Sequence, residues 1–173
     1  MSLRDDINQA IKGRADIAFG FVSLHRFQDI LDQVAERFLK RGKRDLNKIW
    51  LWNEFRNETG SSQPEDVFSA LSEILQPQTS YWFISSDENG KYWVAESSGS
   101  SIINVLKEMY AFEYYILDKQ MSWILCENHH GMLIEARFGT TPQVQNAPPP
   151  HQTNCDFQLV LMTLENILSI LVQ

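Results

Sequence analysis

The chain has 173 residues, 43% of them hydrophobic and 21% charged, values that exclude a wholly disordered chain and fit one compact core burying roughly 70% of the surface the unfolded form would expose. Its 15 Lys and Arg against 22 Asp and Glu give a formal charge of -7, which repels phosphate backbones and speaks against a nucleic-acid partner while favouring a basic protein one. No stretch reaches the ~18–20 uninterrupted apolar residues of a membrane span, the first residues lack the apolar core of a signal peptide, and two cysteines are too few for a disulfide framework, so a cytoplasmic, non-membrane protein with free thiols is expected.

The first clear element is "SLHRFQDILDQVAERFLKRGK", which sets Phe27, Ile30, Leu31, Val34 and Phe38 on one helical stripe, with basic residues in the last turn and Gly42 where the chain leaves the helix. "LNKIWLWNEF" carries Trp50 and Trp52, which share a face across a strand pleat but lie about 200° apart on a helix, so its state is ambiguous and leans to helix. One of these two tryptophans is expected to be partly exposed. In "SSQPEDVFSALSEILQP", Ser62 and Glu65 suggest a capping box, Val67, Leu71 and Leu75 a core face, and Pro77 a stop.

The pattern then changes. "YWFISSDENGKYWVAES" brackets Asn89 and Gly90 with two aromatic runs, a hairpin signal whose two-residue turn sets Trp82 and Ile84 on one face with Trp93 and Ala95. Trp82 and Trp93 are read as core. "SGSSIINVLKEMY" is a serine-capped helix carrying Ile102, Ile103, Leu106, Met109 and Tyr110 across the sheet. "FEYYILD", "MSWILCE" and "MLIEARF" follow as three antiparallel strands. Residues 139–154 are Pro- and Thr-rich and read as a loop, and residues 155–172, with Leu159, Met162, Leu164, Ile167, Leu168 and Leu171, read as an apolar helix. The expected architecture is a single α+β domain over 1–173. It comprises a helical part (1–78), a sheet region (80–138) of four to five antiparallel strands interrupted by one helix, the loop, and the C-terminal helix.

The candidate site is "ILCENHHGMLIEA", residues 124–136. Read as a hairpin turning at Asn128 to Gly131, it puts Glu127 on the face of Trp123 and Leu125, Cys126 on the opposite face beside Ile124, and His129 and His130 in the turn. Three catalytic or metal readings of it are weak. Cys126 and His129 with His151 and Cys155 have the paired spacing of a zinc site, but His151 falls in the loop and a chain of this size needs no metal to fold. The His pair between strands resembles a ββα-metal nuclease without the ligand-bearing helix that should follow. A hydrolase built on Cys126 would place its thiol in apolar company, which suppresses the thiolate. No catalytic residue, metal or cofactor is therefore assigned. Trp123, Glu127, Asn128, His129 and His130 are the candidate binding residues, a mixed polar and aromatic patch of the kind found at protein interfaces.

Residues 81–137, through "YWF…ENGKYWV" and above all "FEYYILDKQMSWILCENHH", resemble a family of small bacterial proteins represented by the Bacillus YxiF protein. The resemblance brings no catalytic residues. It implies a cytoplasmic protein encoded near toxin genes, with an immunity or toxin-neutralising role. The leading expectation is thus a non-enzymatic binding protein whose acidic surface masks a toxin domain or another basic protein. The alternatives are a metal-dependent or hydrolytic enzyme centred on Cys126, Glu127, His129 and His130, and a homodimeric structural protein using the C-terminal helix.

Overall fold

The computed structural model describes residues 2–86 and 91–139, and begins with helix α1 (Leu3–Ile11). Ser2 caps it reciprocally: the Ser2 hydroxyl accepts from the Asp5 backbone while the Asp5 carboxylate accepts from the Ser2 backbone, which satisfies orphan donors of the first turn. Strand β1 (Phe19–Phe21) leads to α2 (Leu24–Phe38). Two 3₁₀ turns (Gly42–Asn47 and Leu51–Glu54) replace the helix expected around Trp50 and Trp52. Strand β2 (Glu58–Ser62), α3 (Val67–Ile74), β3 (Ser80–Ser86), β4 (Tyr92–Ser98) and α4 (Gly99–Glu108) follow. Three final strands complete the described chain: β5 (Tyr114–Asp118), β6 (Trp123–Glu127) and β7 (Leu133–Arg137).

The fold is α+β, and the described residues include seven antiparallel strands in the order β1-β4-β3-β5-β6-β7-β2. The expected count of four to five is too low because both edge strands come from the part read as helical. β1 is only three residues long, and β2, "ETGSS", is exposed along its whole length. The alternation of β1, Phe-Gly-Phe, is too short to register as a strand pattern and β2 has no apolar residue, and short or polar strands are what blunt a sheet edge against further pairing. The expected C-terminal helix, the 139–154 loop beyond Gly139, and the residues at the tip of the β3–β4 hairpin lie outside the described residues.

Helices pack on both faces of the sheet. One face, with Trp82, Ile84, Tyr92, Val94, Tyr115, Ile124 and Cys126, meets α2 and the 3₁₀ turns through Leu31, Val34, Phe38 and Leu51. The other, with Tyr81, Phe83, Ala95, Tyr114, Ile116 and Leu125, meets α1, α3 and α4 through Ile7, Leu71, Ile102 and Leu106. Full burial of such side chains stabilises by roughly 1.5–3 kcal/mol each, so these two layers hold the fold. Two-sided cover also explains a register correction. Trp82 pairs with Glu96 and Ile84 with Val94, so Trp82 and Ile84 share a face with Tyr92 and Val94, not with Trp93 and Ala95. A one-residue slip exchanges faces, and where both faces are apolar the alternation alone does not select between registers.

Caps place the helices. Asp66, not Ser62, caps α3, accepting from the Phe68 backbone at 3.0 Å. Ser98 caps α4 through the Ser101 backbone, and a Cβ on Gly99 would lie 2.4 Å from the Gln76 carbonyl oxygen. Only glycine allows α4 to start against the end of α3. Among the described residues no helix is long and apolar enough to cross a membrane.

Candidate functional site

The β6–β7 turn is built around Asn128. Its side-chain oxygen accepts from the His130 and Met132 backbone amides, both at 3.0 Å, its own amide donates to the Met132 carbonyl, and Gly131 adopts φ 69°, a conformation glycine reaches without strain. Asn128 is buried and engaged in shaping the turn, as the Asx residues of tight turns are. Gln63, just after β2, donates to the His130 carbonyl and ties the turn to the neighbouring chain.

This turn lifts His129 against two tryptophans. Its ring centroid lies 5.3 Å from that of Trp50 and 6.2 Å from that of Trp52, with the His130 ring 4.0 Å away. Beneath them sits Glu113, its side chain only 9% exposed. One Glu113 oxygen accepts from the Tyr115 hydroxyl. The other accepts from Trp52 Nε1 at 2.9 Å and lies 3.6 Å from His129 Nδ1. The Tyr115 hydroxyl in turn accepts from the Leu51 backbone amide at 3.1 Å. Glu113 is thereby the anchor that clamps the 3₁₀ turn at Leu51–Glu54 onto β5, since a buried carboxylate must be hydrogen-bonded to be tolerated. Burial, then the charge environment of Cys126 and Glu113, drives the Tyr115 hydroxyl well above its ordinary pKa and keeps it a donor. Outside the clamp the surface is apolar and aromatic: Trp50 is 46% and Ile49 68% exposed.

The other side of the same sheet end carries a second acid. Glu127 accepts from the Tyr114 hydroxyl. Burial raises its carboxyl above the usual range, a shift the tyrosine bond opposes. Burial and then the adjacent Glu127 charge push the Tyr114 hydroxyl up in turn.

The residues singled out in sequence are thus distributed. His129 and His130 occupy the exposed turn, Asn128 is its buried core, and Glu127 opens to the opposite face. Trp123 stands at the far end of β6, its ring 5.9 Å from that of Tyr81, roughly 13 Å along the strand from Glu127. The aromatic partners of the His pair are Trp50 and Trp52 instead, reached across the fold. Glu113, the hub of the cluster, was missed, though a glutamate inside the aromatic run "FEYY" is itself a signal, since an acid at the head of a buried strand needs partners.

Cys126 is fully buried among core side chains. Its thiol lies well above the ordinary range because of burial and then the nearby Glu113 charge, so it does not share a surface with Glu127 or the histidines. Among the described residues no group of three or more His, Cys, Asp or Glu is arranged to hold a metal ion. Of the zinc pairing, His151 and Cys155 lie outside the described residues, and Cys126 and His129 part company between core and surface.

A family model described as "Family of unknown function (DUF6756)" matches residues 1–147. No curated protein and no solved structure matches the chain.

Proposed function

The chain belongs to DUF6756, a family of unknown function, and we propose that it is a non-enzymatic binding protein of the toxin-neutralising, immunity type, acting in the cytoplasm on a basic partner domain. The observation that carries this reading is the surface at Trp50, His129 and His130: an exposed tryptophan packed against a histidine, the two rings tilted by 32°, and backed by the buried Glu113 carboxylate. Large, stiff aromatic side chains are what interface hot spots are rich in, because they bury much area at little entropic cost, and Trp50 stands beside Trp52, which its bond to Glu113 fixes in place. A formal charge of -7 selects a basic partner and speeds its encounter, and a guanidinium or ammonium laid on Trp50 adds a cation–π contact. The resemblance of residues 81–137 to YxiF-type proteins supports the same direction.

An enzyme built on Cys126, Glu127, His129 and His130 gains no support from the geometry, which sends these side chains to the core, one sheet face and the turn. The test is co-expression with toxin domains encoded beside the gene, followed by titration of the purified pair. Rescue of growth, and tight, salt-sensitive association that Trp50→Ala weakens at least tenfold, are expected. Absence of any rescue, or association indifferent to Trp50, would sink the reading.

A further inference from the structure

The second acid at this sheet end stands in a cavity. A space of about 170 Å³ opens between α3, the end of α4 and the start of β5, and is lined by Phe68, Met109, Tyr110, Phe112, Tyr114 and Glu127 among others. We propose that this cavity is a binding site for an alkylammonium group, primary or methylated, with the aromatic rings as its walls and Glu127 as its counter-charge.

Three observations carry this. The walls are aromatic and contiguous: the Tyr110 and Phe112 centroids are 6.3 Å apart and those of Phe112 and Tyr114 5.8 Å, both edge to face. Rings set around a small space in this way attract a cation through their negative faces, the interaction that lets aromatic cages hold methylated ammonium groups. Second, Glu127 alone among the described lining residues carries a carboxyl, and it is anchored in place by the Tyr114 hydroxyl. Burial already disfavours its ionised form, so a cation brought against it would relieve the cost and add a Coulomb attraction strengthened by the apolar surroundings. Third, the size is right. About 170 Å³ is well below the roughly 300–1,000 Å³ of a drug-sized pocket and holds a side-chain-sized group. The wall also makes such a contact within the molecule: the Lys107 ammonium lies 5.7 Å from the centre of the Phe68 ring.

The site lies on the opposite sheet face from Trp50, so it stands or falls separately from the partner surface. The test is calorimetric titration of the full chain with (2-hydroxyethyl)trimethylammonium chloride and with 3,3-dimethylbutan-1-ol, which has the same shape without the charge. The ammonium is expected to bind saturably and at least about tenfold more tightly than the neutral compound. Glu127→Gln and Phe112→Leu, checked for native circular dichroism, should each weaken the ammonium about tenfold, while Trp50→Ala leaves ammonium binding intact. No saturable ammonium binding, equal binding of charged and neutral forms, or an unaffected Glu127→Gln variant would overturn the proposal. A short peptide carrying one trimethyllysine separates the sources: tighter binding than the free ammonium assigns the site to a protein side chain, equal or weaker binding to a small molecule, and in either case the ammonium is what is recognised.

Discussion

Replacing Glu113 by leucine keeps the volume and removes the acceptor from the clamp. Two donors lose their partner: the Tyr115 hydroxyl, on a fully buried side chain, and Trp52 Nε1, on a partly buried one. The buried hydroxyl orphaned without water costs about 1–3 kcal/mol, and the indole, which water can reach in part, loses the roughly 1–1.5 kcal/mol net of its bond. Against this stands relief of the carboxylate's own desolvation, which is why exchanges of buried charges for apolar groups are sometimes neutral. The orphaned donors decide the sign, and after that relief a net loss of about 2 kcal/mol is expected, equivalent to roughly 4–8 °C in Tm for a chain of this size. Urea unfolding followed by tryptophan fluorescence and circular dichroism measures it. Tyr115→Phe, which orphans the Leu51 amide, closes a double-mutant cycle, and a coupling above about 1 kcal/mol is expected for groups in one network. If Glu113→Leu were as stable as the parent within about 0.5 kcal/mol, or the two changes were additive, Glu113 would not be the anchor of the 3₁₀ turn.

Gly99→Ala forces a Cβ to within 2.4 Å of the Gln76 carbonyl oxygen and should destabilise by about 2–3 kcal/mol, whereas an alanine at the open Gly20 position should be nearly neutral; comparable losses at both would contradict the packing of α4 against α3. In a Cys155→Ser background, Cys126 should resist a thiol reagent in the folded protein and react fully on denaturation, because its thiol is buried and its pKa raised; rapid labelling of the native chain would place it elsewhere. Glu127 titrates higher in the folded chain than its ordinary value of 4.5, so the folded state binds more protons than the unfolded between that value and the raised one, and stability falls as pH rises through the window. Glu127→Gln removes this loss. Its stability relative to the parent should therefore climb as pH increases above about 4.5, and a difference that stayed flat or declined would reverse the assigned shift.

The elements legible in the sequence were those whose burial leaves a mark on it. The stripe of Phe27, Ile30, Leu31, Val34 and Phe38, the aromatic and β-branched runs of β5 to β7, and the alternation that separates Cys126 from Glu127 all follow from one-residue rules of periodicity. What escaped depends on contacts between distant segments. β2 is polar and exposed, and pairs only because β7 offers it an edge. The 3₁₀ turn at Leu51–Glu54 is held by Tyr115 and Glu113, more than sixty positions later. α1 was not recognised, although Ser2 and Asp5 spell its cap. At the candidate site the sequence placed the histidines in a turn but paired them with Trp123, their neighbour along the chain, where the fold supplies Trp50 and Trp52 instead.

The proposal that Trp50 and His129 form the surface that receives a basic partner is tested most directly by screening the neighbouring genes for a basic toxin domain and titrating the purified candidate into the parent chain and into Trp50→Ala. Because the Trp50 side chain is 46% exposed, the variant should keep its unfolding free energy within about 1 kcal/mol while losing at least about 1.4 kcal/mol of binding, a factor of ten. Undiminished binding by a folded Trp50→Ala chain would contradict the account.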